Sequence, residues 1–144
     1  MFALTLDRRG RDDDATGEIV VGDFRESFLI NLSYWNVDDY QASWLRSAVH
    51  VLERGYGRFL ASVTAPGQRT YITWVCRVRD GEPVFHKSFV LPSETETYRQ
   101  PEDGETPAED YAERNQDEPT LHCYRCALRD IAEFELRLRG GSAN

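Results

Sequence analysis

The stretch from Gly17 to Gly55 leaves this chain the fewest ways to fold. It reads Gly17-Glu-Ile-Val-Val-Gly-Asp-Phe-Arg-Glu-Ser-Phe-Leu-Ile-Asn-Leu-Ser-Tyr-Trp35, after which the apolar spacing becomes helical. Ile19 and Val21 share one face of a short strand. Gly22-Asp23 supplies the residues of a tight hairpin turn. Phe24 to Trp35 alternates as a longer strand, with Phe28, Ile30, Leu32 and Tyr34 facing one way and Leu29, Asn31, Ser33 and Trp35 the other. Asn36 suits a helix N-cap, with Asp39 three residues on as an Asp variant of the capping box. Asp38 and Asp39 complement the positive end of the helix dipole, Arg54 complements the negative end, and Gly55 suits the C′ position. At 100° per residue, Tyr40, Val51, Trp44, Val37, Ala48, Leu52 and Leu45 fall within about 140°, one stripe able to cover a sheet. His50 points the opposite way.

These residues also resemble immunity proteins of bacterial contact-dependent growth inhibition systems. That family carries a pattern close to G-x-I-x-x-G-D-F-x-E-x-F, then L-x-Y-W, then D-Y-x-x-x-W in the following helix. The chain has Gly17, Ile19, Gly22, Asp23, Phe24, Glu26 and Phe28, then Leu32, Tyr34 and Trp35, then Asp39, Tyr40 and Trp44. The match is dense over this stretch and thin afterwards. Most of the matching residues are turn formers and core aromatics, so they speak for a fold more than for an activity.

Charge singles out another region. The chain has 17 Lys+Arg and 25 Asp+Glu, a net of −8. Between Leu91 and Pro119 stand Glu94, Glu96, Glu102, Asp103, Glu105, Glu109, Asp110, Glu113, Asp117 and Glu118, opposed only by Arg99 and Arg114. That segment nets 2 − 10 = −8 and the remainder 15 − 15 = 0. It also holds Pro92, Pro101, Pro107 and Pro119 and almost no aliphatic residues. It reads as a long acidic surface loop, with room for one helical turn near Ala108 to Arg114.

The rest of the 144 residues reads as one domain, residues 1–144, of the α+β class. Phe2 to Leu6 alternates as a strand, and Asp7 to Thr16, with Asp12-Asp13-Asp14, reads as a charged turn. Gly57 to Thr64 is the next strand, Ala65-Pro66-Gly67-Gln68 a turn, and Thr70 to Arg79 a strand whose Ile72, Trp74, Cys76 and Val78 form the core face. Asp80-Gly81 is a strong hairpin signal, and Pro83 to Val90 pairs back. Thr120 to Cys126 returns as a strand, and Leu128, Ile131, Phe134 and Leu138 mark a shorter helix ending near Gly140. The order is βββ-α-ββββ-α: antiparallel sheet with one long and one shorter helix. The family resemblance allows a Whirly-like refinement, two sheets with helices packed between them.

Other chemistry is thinly supported. Cys123 and Cys126 beside His122, with Cys76 and His86, could in principle hold zinc, but residues three apart in a strand face opposite ways and Tyr124-Arg125 lacks a turn former. His50, His86 and His122 are candidate bases without a nucleophile elbow, phosphate loop or dinucleotide fingerprint. We therefore expect no catalytic residues, no cofactor and no metal. Three cysteines are an odd number and argue for reduced thiols in the cytoplasm. No apolar run approaches the roughly 18 residues of a membrane span, and Met1 to Arg9 lacks the form of a signal peptide.

The resemblance implies a protein that binds and neutralises a cognate toxin C-terminal domain, a basic nuclease whose active site it occludes. Glu94, Glu96, Tyr98, Glu102, Asp103, Glu105, Asp110, Tyr111 and Glu113 are the candidate contacts, because clustered carboxylates make a directed field and the tyrosines can anchor. Asp12 to Asp14 is a second candidate. The expected state is a monomer or weak dimer without membrane or direct nucleic-acid contact. Two rivals stand beside this reading: a small Whirly-like nucleic-acid-binding module, which the net charge disfavours, and a small metal- or His-dependent enzyme.

Overall fold

The structure, a computed structural model, describes residues 1–7, 14–33, 35–62, 71–90 and 123–141. The elements are β1 (Phe2–Asp7), β2 (Asp14–Val21), β3 (Phe24–Asn31), α1 (Val37–Arg54), β4 (Tyr56–Ser62), β5 (Tyr71–Arg79), β6 (Glu82–Val90), β7 (Tyr124–Arg125) and α2 (Leu128–Gly141). This is the expected α+β order, divided between two antiparallel sheets, β1-β2-β3 and β4-β5-β6-β7.

In the first sheet Phe2 pairs with Val21, Leu4 with Ile19, and Gly17 with Phe28. Side chains of directly paired residues share a face, so Phe2, Leu4, Ile19, Val21 and Ile30 all point into the core, where each is buried. Gly17 leaves room for them: a Cβ would lie 2.6 Å from the tips of both the Phe28 and Ile30 side chains and would force them to shift. Leu29 lies on the opposite face and is exposed.

Two boundaries differ from the sequence reading. β2 begins at Asp14, inside the stretch read as a charged turn, because Asp14 to Thr16 pair with Leu29 to Asn31 and gain ladder bonds that alternation alone does not reveal. β3 stops at Asn31 rather than Trp35. There the Asn31 side-chain oxygen accepts from the Ser33 N–H at 2.9 Å and the Ser33 hydroxyl at 2.7 Å, a local turn that competes with the ladder.

α1 has its expected limits. Asn36 Oδ1 accepts from the Asp39 N–H at 2.8 Å, and Asp39 Oδ2 accepts from the Asn36 N–H at 3.0 Å, completing the capping box. Gly55 closes the helix at φ 84°, donating to the Val51 carbonyl. Its own carbonyl then accepts from Val78 at 2.7 Å, locking the helix end to β5. The buried face holds Tyr40, Trp44, Ala48 and Val51, with Ser43 and Ser47 among them. Trp44 Nε1 donates to the Leu60 carbonyl at 2.8 Å, and Ser47 Oγ to the Arg58 carbonyl at 2.6 Å. α1 approaches β4 closely enough that a Cβ on Gly57 would meet Val51 and the Ser47 carbonyl at 2.8 and 2.9 Å.

Between the sheets Phe2 packs on Phe59, Phe85 and Phe134, with ring centroids 5.3, 4.9 and 4.8 Å away. Trp74 and Cys76 join this core as expected. Thr73 and Val75, on the other face of β5, are also buried, as are Val84 and His86 on β6. The alternation pointed to one core face; this sheet is buried on both. The Asp80-Gly81 turn has φ values of 52° and 81°, both positive, the form that favours these two residues in a two-residue hairpin.

Candidate functional site

The acidic candidates Glu94, Glu96, Tyr98, Glu102, Asp103, Glu105, Asp110, Tyr111 and Glu113 lie outside the described residues, as do Asp12, Asp13, His122, the Ala65–Gln68 turn and the helical turn proposed near Ala108. The strands that bracket the acidic segment are described. It leaves the end of β6 at Val90 and returns just before β7, and β6 and β7 are neighbours in one sheet. β7 is anchored by Tyr124, whose ring stacks on Phe24 at 3.6 Å and 14°, and by the Cys126 N–H donating to the Pro83 carbonyl at 3.3 Å. Of the strand expected from Thr120 to Cys126, Tyr124 and Arg125 form β7, Cys123 and Cys126 flank it, and residues 120–122 lie outside the described residues.

Tyr34 of the motif also lies outside the described residues, while Gly22, Glu26, Trp35 and Tyr40 join parts of the fold. Gly22 takes φ +60°, and a Cβ there would lie 2.5 Å from the Arg125 carbonyl, so the β2–β3 turn can press against β7 only as glycine. Glu26 projects from the core face of β3 to Lys87 on β6, Oε2 to Nζ 2.6 Å. Lys87 also lies 5.7 Å from the Trp74 ring centroid. Tyr40 Oη donates to the Asn31 carbonyl at 2.6 Å, and Trp35 meets the Tyr40 ring edge-on at 5.2 Å. Each contact joins one element to another.

Among the described residues the cysteines and histidines are not gathered into one site. Val75 pairs with His86 and Cys76 with Phe85, so Cys76 and His86 point to opposite faces of the sheet. Among the described residues no group of three or more His, Cys, Asp or Glu side chains is placed to hold a metal. Burial, with a contribution from nearby Cys126, pushes the Cys76 thiol well above its ordinary pKa. Burial followed by the Asp130 charge pushes Cys126 up to about 12. Cys123 is exposed, and none of the three forms a disulfide.

His50 corrects the sequence reading, which put it on the solvent side. Its Nδ1 donates to the Tyr56 carbonyl at 2.8 Å, and its ring meets Tyr56 edge-on at 4.9 Å. The chain reverses after Gly55 and brings Tyr56 back beside the helix, which helical spacing alone cannot show. With Leu45, Arg46, Val49, Glu53, Arg54 and Arg139, His50 lines an open groove of about 430 Å³ between α1 and α2.

The geometry is that of a folded support carrying a charged connection. A family model described as the CdiI N-terminal domain matches residues 30–134. The chain belongs to the CdiI immunity-protein family. The matched span runs from the end of β3 into α2 and includes the whole acidic segment. The curated immunity protein CdiI of Enterobacter cloacae subsp. cloacae is 33% identical over 75 residues, 51% of this chain and 51% of that protein. The match thus spans about half the length of that relative. A chain in the solved CdiA-CT/CdiI toxin and immunity complex from Enterobacter cloacae shares the fold, with TM-score 0.70 and 18% identity over 96% of this chain and 99% of that one. Among the described residues no helix is long and apolar enough to cross a membrane.

Proposed function

We propose that this protein binds a cognate toxin C-terminal domain in the cytoplasm and blocks it without chemistry of its own. The observation that carries the reading is the family match, which extends through the segment holding ten carboxylates and the entire net charge of −8. The solved relative is a complex of a toxin with its immunity protein. A nuclease toxin needs a basic active site to hold nucleic acid, and an acidic segment offers such a site the charge of its substrate. In this reading Glu94, Glu96, Tyr98, Glu102, Asp103, Glu105, Asp110, Tyr111 and Glu113 supply the contacts, carried by a single domain that acts as a monomer or weak dimer. Complementary fields accelerate encounter, which suits capture of a toxin on arrival.

The experiment is association kinetics with the toxin domain over a salt series. Neutralising Glu102, Asp103 and Glu105 together leaves the thermal midpoint nearly unchanged and slows association, and the slowing fades as salt rises because exposed charges are screened beyond about 8 Å at physiological ionic strength. A carboxylate seated in the toxin's pocket behaves differently: its removal raises the dissociation rate and costs at least about 2 kcal/mol. Full binding and protection by a variant lacking all ten carboxylates would overturn the proposal.

A further inference from the structure

The groove between α1 and α2 has a volume of about 430 Å³, within the roughly 300–1,000 Å³ of small-ligand sites. Its apolar lining comes from the flank of α1. Leu45 and Val49, one turn apart, are half-buried where the buried stripe of the helix gives way to its exposed side. The His50 ring lines the groove beside them, held by its bond to the Tyr56 carbonyl. On α2, Leu136 is 64% exposed and stands one turn before Arg139, the residue this helix contributes to the groove.

The charge of the groove runs against that of the chain. Arg46, Arg54 and Arg139 stand with Glu53 as the one acid among the lining residues, a net of 3 − 1 = +2, whereas the whole chain nets −8. All four side chains are exposed. Arg139 pairs with Glu135 of its own helix, and Arg46 is engaged within the protein. Arg54 forms no ion pair among the described residues. An unpaired guanidinium beside half-buried apolar side chains suits a ligand with both a negative charge and an apolar surface.

We propose that the α1–α2 groove is a binding site for a small amphipathic anion, a carboxylate or phosphate head on a short apolar body. Arg54 takes the head as a forked donor, and Arg46 and Arg139 add to the positive field around it. The body lies along Leu45 and Val49 and against the fixed His50 ring, with Leu136 extending the apolar surface. Glu53, next to Arg54 in sequence, opposes the head and limits the affinity. A basic groove repels a basic toxin domain, so the inference stands apart from the proposed function.

The test is titration of the full chain with decanoate and, separately, decyl phosphate, followed by amide chemical shifts. At least one of the two should saturate a site whose shifts centre on the second half of α1 and the end of α2. Which of them binds more tightly assigns the head group. Arg54→Gln should weaken binding about tenfold, the loss of one charge-assisted donor. Glu53→Gln should strengthen it severalfold. Arg25→Gln removes the same charge from an exposed position on the first sheet and should leave the affinity unchanged. Inorganic phosphate, the head alone, should bind at least about tenfold more weakly than decyl phosphate, since it buries no apolar surface. The proposal is wrong if neither long-chain anion saturates the groove, or if decyltrimethylammonium binds there equally well. It is equally wrong if inorganic phosphate matches decyl phosphate, or if Arg25→Gln weakens binding as much as Arg54→Gln. Should Arg54→Gln fail to fold, the opposite change at Glu53 decides the matter, because an unaltered or weaker affinity there excludes an anionic head beside Arg54.

Discussion

The ammonium of Lys87 lies 2.6 Å from the Glu26 carboxylate, and the pair bridges the two sheets. Glu26 is the glutamate of the motif that first pointed to the family, and Lys87 is the chain's one lysine. Both side chains are about one-third exposed, so solvent weakens the attraction. A double-mutant cycle with Glu26→Gln and Lys87→Met should return a coupling of about 1 kcal/mol or less, decreasing with salt. Strict additivity of the two changes in denaturant unfolding would show that the pair contributes nothing.

The two marked positions on α1 should separate clearly. Trp44 is fully buried and donates to the Leu60 carbonyl, so Trp44→Ala should cost about 3–5 kcal/mol through the cavity and the lost bond. His50→Ala should cost about 1 kcal/mol, since it removes the bond to Tyr56 and a partly buried ring contact. Equal midpoints for the two variants in urea would contradict the helix orientation.

Two glycines with positive φ make a matched comparison. Gly22 and Gly81 share the backbone strain an alanine would suffer, but only at Gly22 does an added Cβ strike backbone, the Arg125 carbonyl at 2.5 Å. Gly81→Ala should cost about 1 kcal/mol. Gly22→Ala should cost clearly more and should also loosen β7, read as faster amide exchange at Arg125 and Cys126.

Thiol chemistry should divide the cysteines. Cys123 reacts with a disulfide reagent in the native protein, whereas Cys76 and Cys126 react only on unfolding. Both buried thiols are raised in the folded state, Cys126 from 9.0 to about 12. The unfolded chain therefore loses these protons first as pH rises. The stability they confer is complete below pH 9 and declines from there towards about 12. Replacing Cys126 with Ala should flatten that decline in an unfolding series against pH.

The limits and buried stripe of α1 were legible because their signals are local: the Asn36 and Asp39 caps, the apolar spacing and Gly55 all lie in or next to the helix. The Asp80-Gly81 hairpin was legible for the same reason. The start of β2 was not, because Asp14 becomes strand through Asn31, a partner distant in sequence. His50 was misread because Tyr56 reaches it only after the chain reverses. The strand alternation sorted Val75 and Arg77 onto one face correctly but gave no sign that the face is covered. Of the candidate interface, the sequence shows the charge and the structure describes the strands from which it hangs.

The closing of the core by α2 bears on synthesis. β1 to β3 can pair as soon as they leave the ribosome, since each hairpin joins neighbours in the chain. Phe2 must wait. Its ring is completed by Phe134, and its carbonyl is met by Arg137 Nη2 at 2.9 Å. β1 is thus finished by α2, whose Arg137 lies 135 residues further along the chain, and a nascent chain stalled before Leu128 would display an open aromatic cluster to chaperones and proteases.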